Sequence, residues 1–295
     1  MNNKVHSLFK RVKRIELRTR KLVAQLTGGD YSSIFRGQGM EFTDLRPYIE
    51  GDDPKTIDWN VYARTRTPYV KVFKEERELM VMLLVDVSGS LRFGSLNLTK
   101  AERVAEVSAV LALSACESND RVGMMTFSDV VHDYIPPDKG RKHALGLVRR
   151  ILQVPDRQAH ADLDNALAYM GRVLKRRALI FVISDFAFPE GSRLLGPAVR
   201  KHDVVGIHVF DPREIHLPAM GRVRFRDPET GTEKVVNTSS SRWRKGFFDR
   251  VRAIREAREE LCRDNALDLV SISTSDNLIL PLKRFFELRR RRRRR

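Results

Sequence analysis

The sequence predicts an α/β protein with a mostly parallel sheet and helices on both faces, and three observations lead there. Leu79–Val85 is a nearly continuous apolar run of strand length, suited to a strand covered on both sides. Strand-like and helix-like segments alternate after it, which implies parallel strands joined by right-handed crossovers. Several of the strands also run into Asp or Ser at their carboxyl ends, where binding groups collect in open parallel sheets.

Taken in order, residues 4–26 carry Val5, Leu8, Phe9, Val12, Ile15, Leu22, Val23 and Leu26 at helical spacing among Lys and Arg, an apolar stripe on a basic helix. Gly28 and Gly29 stop it. Residues 31–67 hold Gly37, Gly39, Pro47, Gly51 and Pro54 without a sustained period, so an ordered but mostly irregular segment is expected. Tyr48 and Trp59 should anchor it to the core. Tyr69–Glu76 reads as a β-rich lead into the strand at Leu79.

A helix over Thr99–Cys116 opens with Thr99 and Glu102 in capping-box spacing. The strand Val122–Phe127 follows. Helices near Arg141–Leu152 and Leu163–Leu174 lead to the strand Ala178–Ile183, and a helix near Ser192–Arg200 leads to Val204–Phe210. Val223–Asp227 and Glu233–Val236 flank Pro228 and Gly231 as a hairpin insertion near 215–238. A basic helix over Ser241–Arg263 and a strand over Leu267–Ile272 complete the sheet. The expected organisation is an extension over 1–78, a main domain over 79–275, and a helix with an arginine tail over 276–295.

Bulk properties narrow the function. A chain of 295 residues with 42% hydrophobic content can bury a sizeable core. No apolar run reaches membrane-spanning length and the first 30 residues are charged throughout, so a cytoplasmic protein is expected. Cys116 and Cys262 lack metal-ligand or redox spacing and read as buried thiols. The net charge is +17, of which Arg289–Arg295 supply seven and the rest of the chain ten. Such a field attracts phosphates and acidic protein surfaces alike.

The chemistry concentrates at Asp86-Val87-Ser88-Gly89-Ser90 and at Ser184-Asp185, with Ser128-Asp129 and Asp211 ending the neighbouring strands. Asp86, Ser88, Ser90 and Asp185 would supply hard oxygen ligands for Mg²⁺ or Mn²⁺, water filling the remaining positions. Gly89 is expected to let the chain turn so that both serines face the ion. In the plain alternative, Asp86 caps a turn and the serines bond backbone amides.

Asp86-x-Ser88-x-Ser90 resembles the metal-ion-dependent adhesion motif of von Willebrand factor A domains, and Asp185 matches that motif's later aspartate. The upstream segments Gly37-Gln38-Gly39-Met40-Glu41-Phe42, Arg46-Pro47-Tyr48-Ile49-Glu50-Gly51-Asp52-Asp53, Ile57-Asp58-Trp59 and Ala63-Arg64 are similar to the bacterial domain-of-unknown-function 58 family. So are Val70-Lys71, Glu75-Glu76 and the ending Leu282-Lys283-Arg284-Phe285-Phe286. The resemblance implies a von Willebrand factor A-like domain that partners a MoxR-type AAA+ ATPase in chaperoning or maturing other proteins. It also implies an ion whose open position takes a carboxylate from an acidic client. One departure weakens the implied ion site: the motif's middle-loop threonine is replaced by Ala161, where Asp162 or a water would have to substitute.

Two other classes stand beside this non-enzymatic reading. The arginine tail and the basic helices would suffice for unspecific nucleic-acid binding. Clustered carboxylates with a metal and His160 could activate water as a hydrolase, although HExxH, GxSxG and Walker-type spacings are missing from the sequence.

Overall fold

The computed structural model describes residues 19, 22–23, 41–74, 78–96, 98–155, 158–188 and 191–293. Apart from Thr19, Leu22 and Val23, the expected basic helix over 4–26 lies outside them, as do Gly37–Gly39, Glu75 and Glu76. The chain forms two compact units, one over Phe35–Leu79 and one containing Met80–Arg295.

The smaller unit is more regular than its scattered Gly and Pro suggested. Strand β1 (Glu41–Pro47) pairs antiparallel with β2 (Tyr69–Lys74), and helix α1 (Trp59–Thr65) lies between them in sequence. Asp52, Asp53 and Asp58 each organise a turn. Asp52 binds the Arg46 guanidinium at 2.6 Å and accepts the Ile49 N–H, Asp53 caps a short 3₁₀ turn, and Asp58 accepts the N–H groups of Asn60 and Val61 at the start of α1. Trp59 overturns one expectation: at 63% exposed it is no core anchor, because Asp58 starts the helix with that side chain pointing outward.

The larger unit is built on a six-stranded sheet. Its strands are β3 (Met80–Asp86), β4 (Arg121–Phe127), β5 (Val131–Asp138), β6 (Leu179–Ser184), β7 (Asp203–Phe210) and, after a separate hairpin, β10 (Asp268–Ser273). Their order is β10-β7-β6-β3-β4-β5, all parallel except β5. The helices are α2 (Lys100–Glu117), α3 (Arg141–Gln153), α4 (Leu163–Val173), α5 (Leu195–Lys201), α6 (Pro212–Ile215), α7 (Ser241–Asp264) and α8 (Ile279–Arg293). The hairpin consists of β8 (Arg222–Arg226) and β9 (Glu233–Asn237). This is the expected α/β architecture, a mostly parallel sheet with helices on both faces.

Strand β3 is central because its residues are apolar on both faces. Met82 and Leu84 join a core with Leu163, Leu167 and Met170 of α4 and Leu195 of α5. By strand alternation, Val81, Leu83 and Val85 face the other side, where α2 packs. Helix α2 is buried along most of its length, so its start has little freedom to move, and both halves of the capping box at Thr99 and Glu102 form. Burying Leu83 or Leu84 fully contributes about 2 kcal/mol each.

Two further features were not expected from the sequence. Strand β5, an antiparallel edge strand carrying Pro136 and Pro137, is not among the strands expected from the sequence; an edge strand tolerates proline since its outer N–H groups need no partner. The arginine tail is helical through Arg293 and paired to the sheet. Helix α8 continues through it to Arg293, with Arg289 paired to Asp203 and Arg292 to Asp268 at 3.1 Å.

Candidate metal and adhesion site

The strand order reverses direction at β3: the chain leaves it through α2 to β4 on one side, and β6 lies on the other. A crevice opens at such a point beyond the carboxyl ends of the strands. Register sets Val85 beside Ile183 and Asp86 beside Phe127, so Asp86 and Ser184-Asp185 emerge together. Asp86, Ser88, Ser90 and Asp185 therefore meet although nearly a hundred residues separate the first from the last.

Asp86 is 1% exposed. Its Oδ1 accepts the Ser88 N–H at 2.8 Å, the turn bond of the plain alternative, and its Oδ2 accepts the Ser184 hydroxyl at 2.6 Å. The hydroxyls of Ser88 and Ser90 lie 3.1 Å apart, and Ser90 is near enough to help lower the Asp185 carboxyl. Burial, with the Asp185 carboxylate nearby, pushes the Asp86 carboxyl well above the usual range. Gly89 lies in the turn that brings the two serine hydroxyls together. It opens a 3₁₀ turn over Gly89–Arg92 without a positive φ, and its N–H donates to the Ala159 carbonyl at 2.9 Å.

Sequence reasoning missed Lys100. Its ammonium, on a side chain 2% exposed, donates to Asp185 Oδ2 at 2.8 Å and to Glu214 Oε1 at 2.6 Å. Burial alone would raise the Asp185 carboxyl, but the Lys100 charge and hydrogen bond hold it below the usual range. Burial likewise opposes the Lys100 charge, while Asp185 and Glu214 keep the ammonium above its ordinary pKa. One signal was present in the sequence: a lysine directly after an N-cap threonine sits at the positive end of the helix dipole, where it needs a local anion.

The other predicted positions are committed elsewhere. Asp162 caps α4 by accepting the Asn165 N–H at 2.9 Å, and Ala161 packs against the core beside it. Ser128 bonds Asp129 at 2.6 Å and the His132 ring at 2.7 Å. Asp211 is fully buried and accepts from the Ser95 N–H and hydroxyl, the Arg213 N–H and the Thr274 hydroxyl, which ties three chain segments together. His160 is exposed. The hairpin turn comes close: an added Cβ at Gly231 would lie 3.2 Å from Gln158 Nε2, and Glu229 is near enough for Asp185 to help raise its carboxyl, after burial.

The donor set fits a small divalent ion in kind, with oxygen ligands alone and two carboxylates that repel each other. Its limits are equally clear. Among the described residues no group of three His, Cys, Asp or Glu side chains is placed to hold a metal, so the serine hydroxyls would have to ligate, and Asp185 already has a cation on it.

Among the described residues no helix is long and apolar enough to cross a membrane. An uncharacterized protein of Mycobacterium tuberculosis strain H37Rv is 30% identical over 280 residues, 94% of this chain and 88% of its own. Among solved structures, the conserved hypothetical protein BatB from Bacteroides thetaiotaomicron aligns with a TM-score of 0.48 and 14% identity over 72% of this chain and 99% of its own. The SpRpn10 VWA domain aligns with a TM-score of 0.40 and 15% identity over 70% and 94% respectively. The family described as "Protein of unknown function DUF58" matches residues 44–257, most of both compact units, and the chain belongs to that family.

Proposed function

We propose that this protein is a non-enzymatic, cytoplasmic interaction module whose crevice at the carboxyl ends of β3 and β6, with Asp86, Ser88, Ser90 and Asp185, captures a carboxylate of a protein partner. The observation that carries the reading is the convergence of two buried carboxylates and two hydroxyls at the point where the strand order reverses. Mg²⁺ or Mn²⁺, held by those four residues, would supply an open coordination position for the partner's Asp or Glu. Neutral serine ligands leave such an ion electrophilic, and the basic surface steers an acidic partner inward. The family resemblance points to a MoxR-type AAA+ ATPase as the partner, acting with this chain in maturing an acidic client.

Calorimetric titration of Mg²⁺ and Mn²⁺ into wild type and Asp86→Ala, at fixed salt, tests the site. Saturable binding near one equivalent that disappears in the variant is expected. No binding by a folded wild type would refute the ion-dependent reading.

A further inference from the structure

Lys100 is an unusual group to bury. It occupies the first position of α2, where the helix dipole disfavours a cation, and its side chain is 2% exposed. A buried ammonium persists only when anions and hydrogen bonds replace its hydration. Here it has two anions, Asp185 at 2.8 Å and Glu214 at 2.6 Å, the second partly open to solvent at 36%. Asp86, in the same crevice, instead receives the dipolar donors Ser88 N–H and Ser184 O–H.

We infer that Lys100 is the built-in cation of this site and sets its affinity for a divalent ion by competing for the Asp185 carboxylate, with Glu214 as the alternative seat for the ammonium. The physical reason is charge balance. An ion that draws on Asp185 must share it with an ammonium bonded to Oδ2, and two cations brought together in a poorly hydrated crevice repel strongly. Glu214 lowers this cost by holding Lys100 when Asp185 turns toward the ion. The inference rests on the ion-binding reading above and adds the residue that regulates it.

The test is Mn²⁺ titration, by calorimetry and by electron paramagnetic resonance of free Mn²⁺, into wild type, Lys100→Gln, Glu214→Gln and Asp86→Ala, each checked for fold by circular dichroism. Lys100→Gln should bind Mn²⁺ about tenfold or more tightly than wild type, and Glu214→Gln more weakly, because the ammonium then has only Asp185. A folded Lys100→Gln that binds no more tightly overturns the inference, even where wild-type binding is lost in Asp86→Ala and the functional reading stands. Conversely, a silent wild type beside a Lys100→Gln that binds supports the inference and removes the functional reading. If Lys100→Gln does not fold, Glu214→Gln decides: weaker binding than wild type supports competition, and unchanged or tighter binding overturns it. A silent wild type beside an unfolded Lys100→Gln makes Lys100 a structural residue and overturns it too.

Discussion

Lys100 and Asp185, 85 residues apart in the chain, form an ion pair at 2.8 Å with side chains 2% and 8% exposed. The pair joins the start of α2 to the end of β6 across the crevice. Removing Lys100 leaves the Asp185 carboxylate buried without its cation. Lys100→Ala is therefore expected to lower unfolding stability by roughly 3–5 kcal/mol, and the double variant Lys100→Met/Asp185→Leu to recover a large part of that loss. Urea unfolding of the three chains measures both, and a cost under about 1 kcal/mol for Lys100→Ala would contradict the pairing.

Asp211 is expected to be structural. Its carboxylate collects donors from Ser95, Arg213 and Thr274, so Asp211→Ala leaves several buried donors unsatisfied and should cost about 2–4 kcal/mol in chemical denaturation. Ion affinity, measured in folded variant protein, should change far less than in Asp86→Ala.

His208 gives the fold a pH dependence of definite sign. Its Nε2 faces the Arg258 guanidinium, which can only donate, so Nε2 accepts and Nδ1–H donates to the Ser271 hydroxyl at 3.1 Å. Burial, then Arg258, lowers its pKa from 6.5 to about 3. The unfolded chain therefore takes up a proton that the folded chain refuses. This contribution to stability is complete above about pH 6.5 and is lost as pH falls toward 3, at up to about 1.4 kcal/mol per unit. Between pH 7 and 5, wild type should lose roughly 2 kcal/mol more than His208→Gln in urea unfolding. Parallel pH profiles for the two chains would show that His208 does not titrate this way.

At Gly123 the edge strand passes close to β4. A Cβ there would lie 2.7 Å from Pro137 N, 2.8 Å from Ile135 O and 2.7 Å from Met82 Sδ. Gly123→Ala should cost about 1–3 kcal/mol, and hydrogen exchange should rise along β5 more than along β6.

The sheet and the motif were legible in the sequence because they depend on local pattern. The apolar run ending at Val85 suited a covered strand, Thr99 and Glu102 announced the start of α2, and Asp86, Ser88, Ser90 and Asp185 could be named from their places at strand ends. Strand β5 was hidden, because two prolines look the same in an edge strand and in a loop until the sheet shows which side needs no partner. Trp59 was misread for a related reason: an aromatic is usually buried, but the face it takes is set by where Asp58 starts its helix. The place of Lys100 at the start of α2 called for an anion, but tertiary structure alone decided which one. Nothing within a few residues of Lys100 is its counter-ion, and Asp185 and Glu214 reach it only after parallel pairing of β3, β6 and β7 has aligned the strand ends above the start of α2. Local periodicity determined what the elements are; long-range packing decided which charges are buried together, and so which cation the acidic crevice already holds.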